Sequence, residues 1–508
     1  MTTAKQSWLK RGLSAVLAAT MVLSMNAVSV FAAGDDSDSS STSAPSYSTE
    51  AGENSVMSLE AGGNTYYFDD VASAFAAVND TTNITGDVTL KVLKDDQAYP
   101  VGTAEEYSTT VFEKATGTVT LDLNGHDLAM AGQRPDSTCS LAILSPAFTL
   151  IDSTCTTSQA VVDGKENEDF QAGKLSLTNV YLKYDGTGTL TIQNIKGEVL
   201  GENGGSFAQS KKASTLAIDN IAVEKSAGTK QSVILSFTNK NATGGVISNS
   251  VLKNAYGGSI QLYGEAVLRN NVVEANHTNP GMAALNLSYN TTTVENGSYT
   301  NLAENGCVVS QGLKGTAYLN GDVFTGKLYT SSSVNCNIEI AGGYYKGEWK
   351  EYKEGSISAP NTRSEVITDG EYAGYTKYTL GNQHKATVQV VDEKGGPSTA
   401  AVLTVDVNGV PVSDLSAVHE GNTNVYTVDC KPDYEVKKIT YTPSGEVAQA
   451  IAGSSTYTMT VPDKDYTLTF TVGETDAVKA GDDIVSIGNQ KYKSLTTAMA
   501  ELKDNDMS

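Results

Sequence analysis

The chain has 508 residues, 39% of them hydrophobic and 18% charged, a folded composition that excludes a disordered chain. Its formal charge of −23 excludes the basic face with which nucleic-acid binders displace counterions, and an anionic membrane surface would repel it. The 47 glycines, and 25 tyrosines against 10 phenylalanines, suit β-structure with many tight turns.

The chain opens on an export signal, residues 1–32. Lys5, Lys10 and Arg11 form a basic stretch, and residues 12–30 are largely apolar. Val30-Phe31-Ala32 presents small residues where a signal peptidase reads, so cleavage is expected after Ala32 or Ala33. A retained transmembrane anchor is the alternative. No later segment holds 18 consecutive apolar residues, so no membrane insertion is expected beyond the signal peptide. Residues 33–60 include Asp35-Asp36-Ser37-Asp38 and bury too little apolar surface to order themselves, which predicts a linker.

Folded structure is expected from residue 61. The strand Thr65-Tyr66-Tyr67-Phe68 precedes an amphipathic helix whose Val71, Ala74, Phe75 and Val78 share one face, with Asp69 or Asp70 as N-cap. Further strands are expected at 88–93, 118–123 and 148–151.

From about Lys174 an apolar residue, one variable residue and then Asn or Gly recur. The matches end at Asn179, Asn194, Asn220, Asn249, Asn270, Asn296, Gly321 and Gly342, about 23 residues apart on average. Such a period marks stacked architectures. Asn and Gly tolerate the left-handed backbone of sharp turns, and the preceding apolar residues point inward to stack on neighbouring coils. This predicts a parallel β-helix over 61–382, with an antiparallel sandwich or propeller as the alternative. Residues 383–474 alternate with period two, as in Val402-Leu403-Thr404-Val405, and predict a small antiparallel sandwich. In 475–508, Gly488-Asn489-Gln490-Lys491-Tyr492 parallels Gly63-Asn64-Thr65-Tyr66-Tyr67. Leu495, Ala498, Met499 and Leu502 repeat the spacing of Val71 to Val78. The segment is expected to be a linker and the truncated start of a second copy.

The five cysteines have no C-x-x-C spacing. Isolated thiols are the preferred reading, with a Cys139–Cys155 disulfide as the alternative.

Val119-Thr120-Leu121-Asp122-Leu123-Asn124-Gly125-His126 resembles the opening of right-handed β-helix, pectate-lyase-like domains from cell-surface proteins of Gram-positive gut bacteria, and residues 338–345 resemble their closing coil. Tyr426-Thr427-Val428 and Tyr457-Thr458-Met459-Thr460-Val461-Pro462 resemble the Ig-like modules that follow such domains. The resemblance implies an all-β chain: a right-handed parallel β-helix with an N-terminal cap helix, then an Ig-like β-sandwich. It also implies a secreted, cell-surface adhesive or display role.

Polysaccharide lyases and hydrolases on the same fold are the competing reading, and a surface-layer scaffold is the third. Catalysis needs acids, or calcium with a basic residue, on adjacent coils. The column before the turn residues reads Thr178, Gln193, Asp219, Ser248, Arg269, Glu295, Asn320 and Ala341. Arg269 and Glu295 fall on successive coils and suggest a sugar-binding pair or an exposed ion pair. Asp219 and Glu295 would stand about 14 Å apart, beyond the roughly 6.5–9.5 Å of an inverting glycosidase. Histidine and serine motifs of metalloproteases and hydrolases are absent. No catalytic residue, metal ligand or cofactor is therefore expected. Tyrosine suits sugar stacking or a protein partner. Tyr256, Tyr263 and Tyr318, with Arg269 and Glu295, are the candidate binding residues for a host glycan, mucin or surface protein; Tyr344 and Tyr345 lie in the same coils.

Overall fold

The computed structural model describes residues 47–475, except 104, 135, 227, 229, 230, 333, 334, 408 and 409, together with 485–487, 490–492, 494–496, 498 and 499. The leader lies outside the described residues. The chain is all-β and multi-sheeted, and Val71–Val78 is an α-helix of eight residues. Among the described residues no helix is long and apolar enough to cross a membrane. It divides into two compact units: one closes at Asn286 and takes in Asn301–Gly306, and the other holds Leu287–Thr300 and the chain from Cys307.

Order begins before residue 61. Met57–Ala61 is a strand within the stretch expected to be linker, and it pairs antiparallel with Asn64–Phe68 and Val88–Val92. Its Met57 and Leu59 are fully buried, so this short alternation inside a polar stretch finds a core to enter. Asp70 caps the helix: its carboxylate accepts from Ser73 N at 2.7 Å and from Ser73 Oγ at 2.7 Å. Phe75 packs on Phe112 with ring centroids 5.2 Å apart, and Phe112 lies 5.9 Å from Phe148.

The first unit is built from three parallel ladders. In the first, Val88–Val92, Thr118–Asp122, Ala147–Ile151 and the leading halves of Thr189–Leu200 and Thr215–Lys225 pair in turn, followed by Gly245–Ser248 and Ala266–Ala275. A second ladder runs through Gln97–Val101, Leu128–Gly132, Lys174–Thr178, the trailing halves of the same long strands, and Val251–Asn254. The third joins Ser108–Phe112, Cys139–Ile143, Val180–Tyr184, Ala208–Ser210, Leu235–Phe237 and Ile260–Tyr263.

Between the first two ladders the chain turns at Asn194, Asn220, Asn249 and Asn270, all at φ between 49 and 56°. Their amides also bond along the stack. Asn220 Nδ2 donates to Asn194 Oδ1 at 2.9 Å, and Asn270 Nδ2 donates to Asn249 Oδ1 at 2.9 Å. Asn179 is left-handed too (φ 54°) but turns from the second ladder into the third. Thr178 therefore stands beside Ala131 and Leu200, not in the column of Gln193. The short 15-residue spacing from Asn179 to Asn194 arises because the two occupy different corners.

In the second unit, Thr291–Asn301, Lys314–Thr325, Asn335–Lys346 and Ile357–Ser358 form one parallel ladder. Cys307–Gly312, Lys327–Thr330 and Trp349–Lys350 form another. Tyr299, Phe324 and Tyr345 stack face to face inside, 5.1 and 4.8 Å apart. Gly321 turns at φ 91°, but Gly342 is not left-handed; Gly343 takes the turn at 108°. A bulge at Ala341 causes this shift, so Asn320 pairs with Gly342 and Ala341 leaves the column assigned to it.

From Ala386 two four-stranded sheets share one apolar core of Val405, Tyr426 and Val428 against Val436, Ile439, Leu468, Phe470 and Val472. All pairings in these sheets are antiparallel except Ala386–Val391 with Tyr466–Glu474, which is parallel. Val485–Ile487 and Gln490–Tyr492 then form an antiparallel hairpin, as Met57–Ala61 and Asn64–Phe68 do. In the helical turns that follow, Ala498 is buried but Leu495 and Met499 are more than half exposed. Leu502 lies outside the described residues. All five cysteines are free thiols.

Candidate functional site

Outward positions of the second ladder form two columns. One reads Lys174, Lys196, Ala222, Val251 and Val272; the other reads Ser176, Glu198, Glu224, Lys253 and Glu274. Between Ile151 and Lys174 the chain leaves the ladder and returns as a flap over this face. Val161–Val162 and Lys165–Glu166 pair as a small hairpin in it. Phe170, Ala160 and Val161 of the flap pack on Val251 and Val272, with Ala222 at the margin.

Two side chains fasten the flap. Asp152 replaces asparagine at the corner. Its Oδ1 accepts from Gly125 N at 2.8 Å, Thr154 N at 2.9 Å and Thr154 Oγ1 at 2.7 Å, and its Oδ2 accepts from Gly173 N at 2.6 Å. Burial raises the Asp152 pKa, but the donors at Gly173, Thr154 and Gly125 outweigh it and leave the carboxyl below its usual range. Further along the stack, Asn220 Oδ1 accepts from Ala160 N at 2.7 Å while its Nδ2 donates to Ser158 O at 2.9 Å.

A groove of about 230 Å³ runs between the flap and the ladder, lined by Glu166, Glu168, Phe170, Lys174, Lys196, Glu198, Glu224 and Lys253 among others. Its lining carries both signs of charge. Lys174 Nζ lies 3.8 Å from Glu198 and 3.9 Å from Asp127. Lys253 pairs with Glu166 of the flap. Lys196 Nζ sits 5.9 Å from the Phe170 ring centroid. Glu198 and Glu224 are register partners, so they stand about one strand spacing apart, some 4.8 Å. Ammonium donors and carboxylate acceptors on four successive strands suit a polyhydroxylated ligand lying across the coils.

The residues expected from sequence lie elsewhere. Tyr256 is 48% exposed, follows the second-ladder strand Val251–Asn254, and meets the His277 ring edge-on at 6.1 Å. Tyr263 ends the third-ladder strand Ile260–Tyr263. Arg269 lies in the first ladder beside Ser248. Tyr256 thus stands in the turn after the second ladder, Tyr263 in the third ladder and Arg269 in the first. In the second unit Glu295 pairs with Asn320, and Tyr318 stands between Thr293 and Glu339. Burial raises the Glu339 carboxyl pKa. Tyr345 is core: it is 6% exposed, and its hydroxyl donates to Gly342 O at 3.0 Å. Tyr344 stacks on Tyr372 at 4.2 Å with Lys377 Nζ 5.6 Å from its ring. The first-ladder column Gln193, Asp219, Ser248 and Arg269 does align, and there Asp219 Oδ1 accepts from Ser248 Oγ at 2.7 Å and Asn249 Nδ2 at 2.8 Å. Asp219 is thereby committed to the turn.

The groove had a signal in the sequence. Val251-Leu252 and Val272-Val273 are apolar doublets in otherwise alternating strands, and a doublet marks a strand buried on both faces. The 22 residues from Asp152 to Gly173 exceed an ordinary turn and are the covering segment. No protein-family model matches the chain, and no curated protein or solved structure matches it. The residues and their geometry therefore carry the functional argument.

Proposed function

We propose that the chain is an exported surface protein that binds a glycan in the groove beneath the flap. In this reading the three-ladder body is a right-handed parallel β-helix of the pectate-lyase-like kind, displayed at the cell surface. Residues 383–474 form an Ig-like spacer. The observation that carries the reading is the flap-covered groove, which presents both lysines and glutamates on four successive strands. Host glycan or mucin suits this lining, because its ammonium and carboxylate groups can hydrogen-bond sugar hydroxyls.

Binding is favoured over catalysis because Lys174 and Lys253 are tied to Glu198 and Glu166, which neutralises the lining. The register of Glu198 with Glu224 supports the second reading, a glycoside hydrolase or lyase. Two glutamates side by side on neighbouring strands are the residue type that such chemistry pairs.

A glycan array probed with the full chain, followed by titration of the hits, separates these readings. Capture of defined glycans is expected, with Lys196→Ala and Glu224→Gln each weakening binding at least tenfold. Release of reducing or unsaturated sugar from a bound polysaccharide would replace binding by catalysis. Failure to capture any glycan, or equal affinity in both variants, would overturn the groove assignment and leave the scaffold reading.

A further inference from the structure

Three segments converge where the chain enters the two-sheet module. Gln383–His384 pairs antiparallel with Val418–His419, and the turn after Thr456–Thr460 brings Asp463 and Asp465 alongside. Ligand atoms of His384, Glu420 and Asp463 all lie within 4.8 Å of one another. His384 Nε2 faces Asp463 Oδ1 at 3.0 Å, and its Nδ1 faces Asp465 Oδ1 at 3.7 Å. Asn382 Nδ2 donates to Asp463 Oδ1 at 2.9 Å.

The second observation concerns Glu420. Its Oε1 accepts from Arg363 Nη1 at 3.0 Å, yet its Oε2 is buried without any hydrogen-bond partner. The side chain is 12% exposed. Among the described residues few buried side-chain atoms are left so, and this is the only carboxylate oxygen among them. An enclosed carboxylate oxygen with no donor is costly, and the ion pair to Arg363 does not relieve it.

We propose that His384, Glu420 and Asp463 hold a divalent transition-metal ion of the zinc class, with Glu420 Oε2 as one ligand. One imidazole nitrogen and two carboxylates form a donor set suited to zinc, whereas calcium and magnesium take oxygen ligands. His384 Nε2 and Asp463 Oδ1 now touch at 3.0 Å; two ligands on one tetrahedral ion stand about 3.3–3.6 Å apart, so parting them by a few tenths of an ångström admits the ion. Asp465 lies 3.7 Å from the far ring nitrogen, a carboxylate near enough to favour a proton there when Nε2 holds the ion. Binding sends the proton shared between Nε2 and Asp463 to solvent. The ion would tie the entering strand to the loops at 418–420 and 463–465 and stiffen the start of the module. This site is independent of the glycan groove.

The test uses the full chain, freed of metal with a chelator and titrated calorimetrically with zinc chloride, with calcium chloride in parallel. One equivalent of zinc is expected to bind and to raise the melting temperature. His384→Ala and Glu420→Gln should each weaken binding at least tenfold while circular dichroism stays unchanged, and His277→Ala should have no effect. Absence of saturable zinc binding would overturn the proposal. So would unchanged affinity in both site variants, loss of binding in His277→Ala, or an equal response to calcium.

Discussion

Lys225 illustrates how much a single residue in a stacked fold depends on its neighbours. It is fully buried, and its Nζ donates to Gly204 O at 2.8 Å and Gly205 O at 3.1 Å. Asn254, its register partner on the next strand, donates to Ser232 O at 2.8 Å. Inward polar residues here satisfy turn carbonyls that the coil would otherwise bury unpaired. Burial pushes the Lys225 pKa down from 10.5 to about 8. The folded state thus disfavours the charged form. Below pH 8 that penalty is fully present, and it is relieved as pH rises toward 10.5. The shift corresponds to about 3 kcal/mol. Urea midpoints of the wild type should therefore climb between pH 8 and 10, and Lys225→Met should remove that climb. Asp152 works in the opposite sense. Its folded pKa lies below 3.8, so its contribution is present above pH 3.8 and is lost as pH falls through the folded value. Asp152→Ala should cost about 2 kcal/mol or more, since it strands donors from Gly125, Thr154 and Gly173. Urea titration at pH 7 checks this, and the difference should shrink at pH 3. The left-handed turns at Asn194, Asn220, Asn249 and Asn270 were legible in the sequence, because that preference is a property of one residue. The bonds between their side chains were not, because they depend on which coils become neighbours.

At the scale of elements, the helix Val71–Val78 was readable from spacing and its cap narrowed to Asp69 or Asp70, since a cap and an apolar stripe are local features; the structure gives the role to Asp70. The strand Met57–Ala61 was hidden in a polar stretch, and it exists because two neighbouring strands accept its register. The flap is the element on which the groove depends. Phe170 is 1% exposed and anchors it on Val251 and Val272. Phe170→Ala should weaken flap docking by about 3–5 kcal/mol. Limited proteolysis is the readout: new cleavage is expected between residues 153 and 172, with the ladders intact. A variant as resistant as the wild type would show that Asp152 and Asn220 hold the flap without the ring.

At the scale of the molecule, each unit repeats one device. Short strands stack in parallel and in register, and their inward residues form continuous columns such as Tyr299, Phe324 and Tyr345. One such coil cannot bury its own face, so the repeat must be several coils long. The charge of −23 disfavours nucleic acid. Alternation, asparagine turns and the count of apolar residues together determined an all-β, turn-rich chain, because these preferences act within a few residues. The three-ladder arrangement, the corner that each asparagine occupies, the flap and the enclosed Glu420 oxygen were decided only by tertiary structure. The reason is one of range. Loops of unequal length, such as the 22 residues from Asp152 to Gly173 against the single Asn220, leave local patterns unchanged while shifting which strands meet. The binding residues expected at Tyr256, Tyr263 and Arg269 shared one stretch of sequence, yet the chain places them in a turn, in the third ladder and in the first.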